Sequence, residues 1–188
     1  MFNRPKQVAT RQQGFTLAEL IVATGIAALV LSLGVPGLST LTHNSRQVSS
    51  SNELLSSLHM ARDIAITRNT RVTVCPSATG TNCEPVDWHE GWILFVDNDA
   101  NRAVGAGETI LDVTDDVAPL MVDTEEFGQF LIYRPNGRIM VNDVRDNTGE
   151  FTLCDDRGPT HARVVVVHLS GRPRVSRYRG DGSAPVCS

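Results

Sequence analysis

A long apolar run near the N-terminus dominates the hydrophobic pattern of the chain. Residues 15–35 contain a single ionisable side chain, Glu19. At about 1.5 Å per residue, a helix of this length spans the hydrocarbon core of a bilayer. The run therefore predicts a membrane-spanning helix over residues 15–35.

Helical periodicity continues beyond this run. Apolar side chains recur at steps of four, three and four, the spacing of one helix face, at Leu54, Leu58, Ala61 and Ala65. We expect an amphipathic helix over residues 36–70, with this face packed against the rest of the protein. Ser, Asn and Gln predominate over residues 42–52, so that part of the helix is expected to fray or to stand between the membrane and the following domain.

After residue 70 the hydrophobic period changes from helical to alternating. Short runs enriched in β-branched and aromatic residues are separated by Gly, Pro, Asn or Asp, at 70–74, 91–96, 108–113, 127–134, 150–154, 163–169 and 174–178. Asn136-Gly137 is a hairpin turn signal. The pattern predicts an α+β chain, in which a long N-terminal helix precedes an antiparallel β-sheet domain over residues 71–188.

The charge distribution orients the apolar helix. The fourteen residues ahead of it carry Arg4, Lys6 and Arg11 and no acid, so the positive-inside rule keeps that end in the cytoplasm and places the chain after Pro36 across the membrane. The whole chain has a formal net charge of −4. Without the first fourteen residues, 14 basic and 21 acidic residues remain, which gives −7.

Glu19 is the feature of the apolar run that needs explaining. A carboxylate in a lipid-facing helix is costly unless it has a partner, and a secretory signal would carry no acid in its apolar core and would end in an A-x-A type site. The basic leader followed by Gly14-Phe15-Thr16-Leu17-Ala18-Glu19 resembles the class III signal of type IV prepilins. The alternative, a plain single-span anchor, leaves Glu19 unexplained.

This resemblance implies a processing pathway and a type IV pilin fold. Residues 1–14 would be a leader that a prepilin peptidase removes between Gly14 and Phe15, with N-methylation of Phe15. Glu19, fifth in the mature chain, would pair with the N-terminal amine of a neighbouring subunit. The resemblance further implies a single-pass protein of the inner membrane with its head in the periplasm, which then joins other major and minor pilins in a filament or at its tip.

Four cysteines lie in the predicted extracytoplasmic domain, where cysteines are read as disulfides, and four cysteines permit three pairings. We favour Cys75–Cys83, which closes a short loop, and Cys154–Cys187, which ties the chain end to a strand. The sequence has no C-x-x-C pair and its spacings fit no zinc module. A zinc site is therefore not expected.

The stretch Gly91–Asp99, followed by Gly107-Glu108, resembles the GspH/FimT group of minor pilins and pseudopilins, in which a strand enters an acidic turn and a second strand leaves it. The same loop offers oxygen ligands at positions one, three, five and twelve of an EF-hand-type calcium loop: Asp97, Asp99, Asn101 and Glu108. Against calcium, Arg102 replaces the sharp-turn glycine and the flanks are strand-like. An Asx-rich hairpin turn is the alternative. No other cofactor is expected.

The C-terminal part of the chain is locally cationic. Residues 157–179 contain six arginines, two histidines and no acid. Arg172 and Arg174 would project to the same side of an extended backbone, about 6.6 Å apart, where two guanidinium groups can engage successive phosphates. Gly171-Arg172-Pro173-Arg174 resembles the Gly-Arg-x-Arg DNA-binding motif of FimT-type minor pilins, with Arg177 and Arg179 as helpers by proximity. The alternative is a solvated hairpin, or arginines that meet acidic neighbours in a filament.

Two functions follow from these resemblances. The first is a minor type IV pilin, in or near the pilus tip, that binds DNA without sequence preference during natural transformation. The alternative is a GspH-like minor pseudopilin of a type II secretion system, with protein partners. The sequence has no Gly-rich phosphate loop and no nucleophile elbow, so we do not expect an enzyme.

Overall fold

The computed structural model describes residues 14–140 and 148–187. Within these ranges a single long helix, α1, spans Leu17–Thr67. The strands are β1 Val72–Pro76, β2 Trp92–Val96, β3 Ile110–Thr114, β4 Met121–Asp123, β5 Leu131–Tyr133, β6 Ile139–Met140, β7 Gly149–Cys154, β8 Arg163–Val167 and β9 Pro173–Ser176. The predicted α+β class, with a long N-terminal helix followed by antiparallel strands, is confirmed.

The first turn of α1 is fixed by a reciprocal pair of side-chain hydrogen bonds. Thr16 Oγ1 accepts a hydrogen bond from the backbone N–H of Glu19 at 3.2 Å, and Glu19 Oε2 accepts one from the backbone N–H of Thr16 at 3.0 Å. This is a capping box, which satisfies two of the backbone donors that a helix N-terminus leaves without partners. The Thr-x-x-Glu spacing therefore sets where the helix begins.

The last turn of α1 is closed by Asn69. Its φ of 51° is left-handed, a conformation that asparagine tolerates better than most residues. The backbone N–H of Thr70 donates to the carbonyl of Ala65 at 3.1 Å, and that of Asn69 donates to the carbonyl of Ile66 at 3.3 Å. This pair of bonds is a Schellman motif, which ends the helix and turns the chain into β1.

The chain divides into two compact units, residues 1–42 and residues 43–188. In the described part of the first unit, residues 14–42, large apolar side chains of α1 such as Leu20, Ile21 and Leu29 are exposed. Among the described residues, α1 is the one helix long and apolar enough to cross a membrane. An exposed apolar surface is what a lipid-facing helix requires.

In the second unit, the predicted apolar face of α1 is confirmed, since Leu54, Leu58, Ala61 and Ala65 are completely buried. From the sequence, residues 42–52 are expected to fray or to stand apart from the following domain. That expectation is wrong at Gln47 and Ser51, whose polar side chains are buried. Gln47 Nε2 donates to the Leu153 carbonyl at 3.4 Å, and Ser51 Oγ donates to the Val48 carbonyl at 3.0 Å. These two hydrogen bonds offset part of the cost of burying polar side chains, although Gln47 Oε1 has no hydrogen-bond partner among the described residues.

Within the predicted antiparallel β-sheet domain, the strands form two sheets. The first has the order β3-β2-β1-β5-β6 and the second the order β4-β7-β8-β9. β4 was not predicted, because three residues, Met121–Asp123, are too few to show an alternating pattern. The predicted strand over 127–134 is shorter, beginning only at Leu131. The predicted Asn136-Gly137 hairpin joins β5 to β6.

Both sheets and the outer half of α1 share one hydrophobic core. Large side chains from α1 and from each sheet are fully or almost fully buried in it, among them Leu58, Trp92, Tyr133, Phe151 and Val165. Burial of each such side chain contributes roughly 1.5–3 kcal/mol. A smaller cluster of Cys75, Ile93 and Phe95 covers the opposite face of the first sheet.

Both favoured disulfides are present. Cys75–Cys83 closes a loop with a sequence separation of 8, and Cys154–Cys187 spans a separation of 33. Closing a loop of the second length stabilises a fold by roughly 3–4 kcal/mol in the chain-entropy treatment. The second disulfide therefore holds the C-terminal end of the chain onto β7.

Candidate anion-binding surface

Arg172 and Arg174 lie where β8 turns into β9. The backbone N–H of Gly171 donates to the His168 carbonyl at 2.7 Å and closes this turn. β9 is the outer strand of its sheet, and Pro173, its first residue, pairs with Val167. An outer strand tolerates a proline, because the missing N–H faces away from the ladder.

Gly171 is required at this turn for two reasons. Its φ of +72° is left-handed, and a Cβ at this position would lie 2.0 Å from the carbonyl oxygen of Gly137. No side chain fits between these two backbone segments. The β8–β9 turn is thus pressed directly against the β5–β6 turn.

This contact brings further arginines to the same place. In the β5–β6 turn, the backbone N–H of Arg134 donates to the Arg138 carbonyl at 2.9 Å. Arg62 of α1 donates from Nε to the Gly137 carbonyl at 3.2 Å. We call the five side chains around these two turns the arginine cluster: Arg62, Arg134, Arg138, Arg172 and Arg174. The first three are not predicted from the sequence, because residues so far apart in the chain give no shared signal.

The arginine cluster is open to solvent and cationic. Four of its members are exposed and Arg62 is half-buried, while Pro173, between the two motif arginines, is buried. This alternation places Arg172 and Arg174 on the same side of the strand. Arg174 Nε donates to His168 Nε2 at 3.3 Å. Within residues 14–140 and 148–187, no carboxylate forms an ion pair with any member of the cluster.

Arg179 has different surroundings. Its Nε donates to Glu150 Oε1, and its guanidinium lies 3.7 Å from a carboxylate oxygen of Glu125 and 3.7 Å from one of Glu126. The hydrogen bond to Glu150 raises the pKa of Arg179 further above its usual value. With its guanidinium occupied by three acids, Arg179 is a structural residue in this arrangement.

Arg177 is exposed but lies away from the turn. Three residues beyond Arg174 along an extended chain correspond to about 10 Å. Arg177 lines a polar groove together with Asn44, His161 and Arg163. Neither predicted helper therefore belongs to the arginine cluster.

A second arginine-carboxylate contact holds the chain after β7. Arg157 Nη2 lies 2.6 Å from Asp155 Oδ2, and Arg157 Nη1 donates to Asn44 Oδ1 at 2.8 Å. Burial acts to raise the pKa of Asp155, but the hydrogen bonds from Arg157 outweigh it and hold the pKa below its usual value. Arg157, like Arg179, stabilises the head instead of facing solvent as a free cation.

The predicted processing residues lie at the start of the described chain. Phe15 is 88% exposed, and Gly14 precedes it with open space around its Cα. The carboxylate of Glu19 accepts its bonds from Thr16 of the same chain. Residues 1–13 of the predicted leader lie outside the described residues. Cleavage, methylation and the pairing of Glu19 with another subunit stay predictions.

The loop between β2 and β3 brings three of the four predicted calcium ligands together. Carboxylate oxygens of Asp97, Asp99 and Glu108 all lie within 4.8 Å of one another. Asn101 is engaged inside the loop, where its Nδ2 donates to Asp99 Oδ2 at 2.8 Å and its Oδ1 accepts from the Ala103 N–H at 2.8 Å. The flanks are strands, as the sequence indicated, so this is not an EF-hand.

Two family profiles match the chain. The family described as Type II transport protein GspH matches residues 50–171, and the prokaryotic N-terminal methylation motif matches residues 9–35. The first match covers well over half of the 188 residues. The chain belongs to the GspH family. The GspH match ends at Gly171 and so does not include Arg172 or Arg174.

Solved structures are similar in fold to this GspH family member. The type IV minor pilin FimU of Pseudomonas aeruginosa matches with a TM-score of 0.57 at 20% identity, over 77% of this chain and 96% of FimU. A second crystal form of FimU gives 0.53 at 21% identity, over 73% and 95%. The minor pseudopilin EpsH of the Vibrio cholerae type 2 secretion system gives 0.48 at 11% identity, over 70% and 96%. No curated protein sequence matches the chain significantly.

Together the family profiles and the fold identify a minor type IV pilin or pseudopilin. Proteins of this group are structural subunits rather than enzymes, and they associate with other pilins in a filament. The methylation motif ahead of an apolar helix is that of a membrane-anchored pilin.

Proposed function

We propose that this GspH family member is a minor pilin that holds DNA through the arginine cluster. The observation that carries the proposal is the exposure of Arg172 and Arg174 at a turn that is packed against a second arginine-bearing turn. A planar guanidinium binds a phosphate with two parallel hydrogen bonds. Several of them on one surface form a site for a polyanion.

Recognition at this surface is directed at the phosphate backbone. Among the described residues α1 is the single α-helix, and in the head its Leu54–Ala65 face is buried against the sheets. That helix is therefore not available to enter a groove and read bases. The protein binds DNA with little sequence preference, and its affinity falls as salt rises.

The overall negative charge does not oppose this proposal. Charges separated by more than about 8–10 Å are largely screened at physiological salt. Three acids of the head, Glu125, Glu126 and Glu150, surround Arg179, which is not a member of the cluster. Within the described part of the chain, no carboxylate lies within ion-pair distance of a cluster member.

The same proposal includes the predicted path to the filament. A prepilin peptidase cleaves after Gly14, Phe15 is N-methylated, and Glu19 pairs with the terminal amine of a neighbouring pilin. The head then lies in the periplasm before assembly and in the filament or at its tip afterwards. The match to the methylation motif supports this path, and two disulfides suit an oxidising compartment.

The alternative function is that of a minor pseudopilin with protein partners. It is favoured by the description of the matching family as a type II transport protein. A pseudopilin would share the leader, the helix and both sheets, so the fold does not separate the two functions. A DNA-binding measurement separates them, because a protein partner does not require a salt-dependent affinity for DNA.

A DNA-binding titration tests the proposal. The full chain in non-ionic detergent is titrated with single- and double-stranded DNA across a range of salt concentrations, beside the Arg172→Ala/Arg174→Ala variant. Each lost phosphate contact lowers the slope of log affinity against log salt by about 1, so the double variant should lose about 2 units of slope and bind more weakly at low salt.

A second double variant provides the matched control. Arg46→Ala/Arg177→Ala removes the same charge from two exposed positions outside the cluster. Arg46 lies sixteen residues before Arg62 on α1, about 24 Å along the helix axis. This control should keep nearly the parent slope. Equal slopes for both double variants, or no binding by the parent, would contradict DNA binding by the cluster and leave the pseudopilin function.

A further inference from the structure

We propose that the loop between β2 and β3 is a calcium site, with Asp97, Asp99 and Glu108 as its carboxylate ligands. The site is separate from the arginine cluster and does not depend on DNA binding.

Asp97 is completely buried, directly after the last residue of β2. Its Oδ2 accepts a hydrogen bond from Thr73 Oγ1 at 2.7 Å. Its Oδ1 is buried and, among the described residues, has no hydrogen-bond partner. A buried carboxylate oxygen without a partner is expensive, and proteins normally satisfy such charge with a counter-ion or a metal. Oδ1 of Asp97 is therefore an oxygen left for a ligand.

The carboxylates of Asp99 and Glu108 provide further oxygen ligands for a cation. Calcium binds oxygen ligands at about 2.3–2.6 Å, so two ligands of one ion lie at most about 5 Å apart. One carboxylate oxygen from each of Asp97, Asp99 and Glu108 lies within 4.8 Å of the other two. Three like charges at this separation repel one another. A divalent cation bound between the three carboxylates attracts each of them and so offsets their mutual repulsion.

The loop holds its ligands in place through its own backbone. Glu108 Oε1 accepts from the Asn98 N–H at 2.7 Å, and Glu108 Oε2 accepts from the Gly105 N–H at 2.9 Å. Asp99 is fixed by two bonds from Asn101. A carboxylate has about four lone-pair sites, so each of these groups can still bind an ion. Ligands fixed in advance lose less entropy on binding.

The type of ligand atom determines which metals the site favours. All three ligands are oxygens, which suit calcium, magnesium and manganese better than zinc or copper. Magnesium demands near-ideal octahedral geometry at about 2.1 Å, whereas calcium accepts irregular sets of 6–8 oxygens. Asp99 is exposed and Glu108 is half-buried, so water can complete the shell. Such an open site belongs with extracellular modules, whose dissociation constants are about 0.1–1 mM.

Thermal unfolding and calorimetric titration test the site. The full chain in non-ionic detergent is stripped with EDTA and titrated with calcium, with magnesium as a parallel series, up to about 10 mM. A ligand that binds the native state stabilises it by RT ln(1 + L/Kd), where L is the free ligand concentration, so the melting temperature begins to rise near Kd and continues to rise with the logarithm of the ligand concentration. We expect a melting temperature that begins to rise at about 0.1–1 mM calcium, a calorimetric binding curve that is half saturated in the same range, and a smaller rise with magnesium.

Charge-neutralising variants assign the ligands. Asp99→Asn keeps one of the two oxygens that accept hydrogen bonds from Asn101 and removes a charge, and it should weaken calcium binding by at least about tenfold. Asp97→Asn should do the same. Asp63→Asn, at an exposed carboxylate on α1, is the matched control and should bind as the parent does.

Two results would overturn the site. The first is a parent protein whose melting temperature and heat signal do not respond to calcium up to the highest concentration. The second is a calcium response that Asp97→Asn and Asp99→Asn leave unchanged, because the ion would then be bound elsewhere. In either case the loop is an Asx-rich hairpin turn held by Thr73 and Asn101.

Discussion

Arg174 and Arg179 are five residues apart in one cationic stretch, yet they have opposite surroundings. Arg179 is enclosed by Glu125, Glu126 and Glu150. Arg174 is exposed and bonds to the Nε2 atom of His168. One arginine is part of the fold and the other is available to a ligand, although the sequence around both is equally basic.

The difference comes from the path of the chain after β9. Glu150, Val166 and Arg174 pair across three neighbouring strands, so Glu150 and Arg174 share a sheet face about 10 Å apart. The segment after β9 folds back over Val166, and the backbone N–H of Gly180 donates to Glu150 Oε2 at 2.6 Å. Arg179 thereby neutralises the acid that would otherwise act on Arg174.

A run of like charges along a sequence therefore does not define a surface. Each arginine acquires its role from the strand or turn that the fold places against it. The arginine cluster includes residues of α1, of the β5–β6 turn and of the β8–β9 turn. It excludes four of the six arginines in the basic stretch itself. Substitutions in the arginine cluster and substitutions at Arg179 should therefore have separable effects on stability.

The largest effect is expected for Gly171→Ala. The new Cβ would lie 2.0 Å from the Gly137 carbonyl oxygen in a backbone with φ of +72°, so the two turns must separate. We expect a loss of at least about 3 kcal/mol in the free energy of unfolding. Urea unfolding of the full chain in non-ionic detergent, followed by tryptophan fluorescence, measures it.

Gly182→Ala is the control for Gly171→Ala. Its φ of +88° is also left-handed, but a Cβ there meets nothing within 4 Å. The control should lose only about 1–2 kcal/mol in the free energy of unfolding, which is the cost of backbone strain alone. Similar losses for the two variants would mean that contact between the turns is unimportant.

An intermediate effect is expected for Arg179→Ala. Glu150, whose side chain is 8% exposed, would keep the Gly180 N–H but lose its cationic partner, with Glu126 close by. Loss of a hydrogen bond to a charged group costs about 1.5–3 kcal/mol. Urea unfolding at neutral pH should show a loss in this range.

Arg177→Ala removes the same charge two residues earlier, at an exposed site. It should change the free energy of unfolding by no more than about 0.5 kcal/mol. If Arg177→Ala destabilised as much as Arg179→Ala, net charge rather than the contact with Glu150 would explain the effect.

What the sequence predicted correctly depends on local signals. The buried face of α1 follows from a period that any helix imposes, and Gly171, Pro173 and Asn136-Gly137 mark turns through their own backbone preferences. The disulfide partners also followed from position, since one pair closes a short loop and the other ties down the chain end. These features need no knowledge of which strands pair.

What the sequence did not predict depends on distant pairing. The division into two sheets is set by β1 pairing with β5 and by β4 pairing with β7, and neither pairing leaves a trace in either segment alone. The same holds for Arg62, Arg134 and Arg138, because only the folded head packs Gly171 against Gly137 and so joins their turn to the β8–β9 turn. The spacing of acids in the β2–β3 loop identifies Asp97 as a candidate ligand. It does not predict that Asp97 is buried and bonded to Thr73.

The smallest effect is expected for the stability of Arg172→Ala/Arg174→Ala. Both side chains are exposed and neither pairs with a carboxylate of the described chain, so the free energy of unfolding should change by no more than about 0.5 kcal/mol. Because the removed charges repel the remaining arginines, any change at low salt should be a gain that shrinks as salt rises. Urea unfolding at two salt concentrations measures both. A loss as large as that of Arg179→Ala would mean that these arginines hold the turns together, and the contrast between Arg174 and Arg179 would disappear.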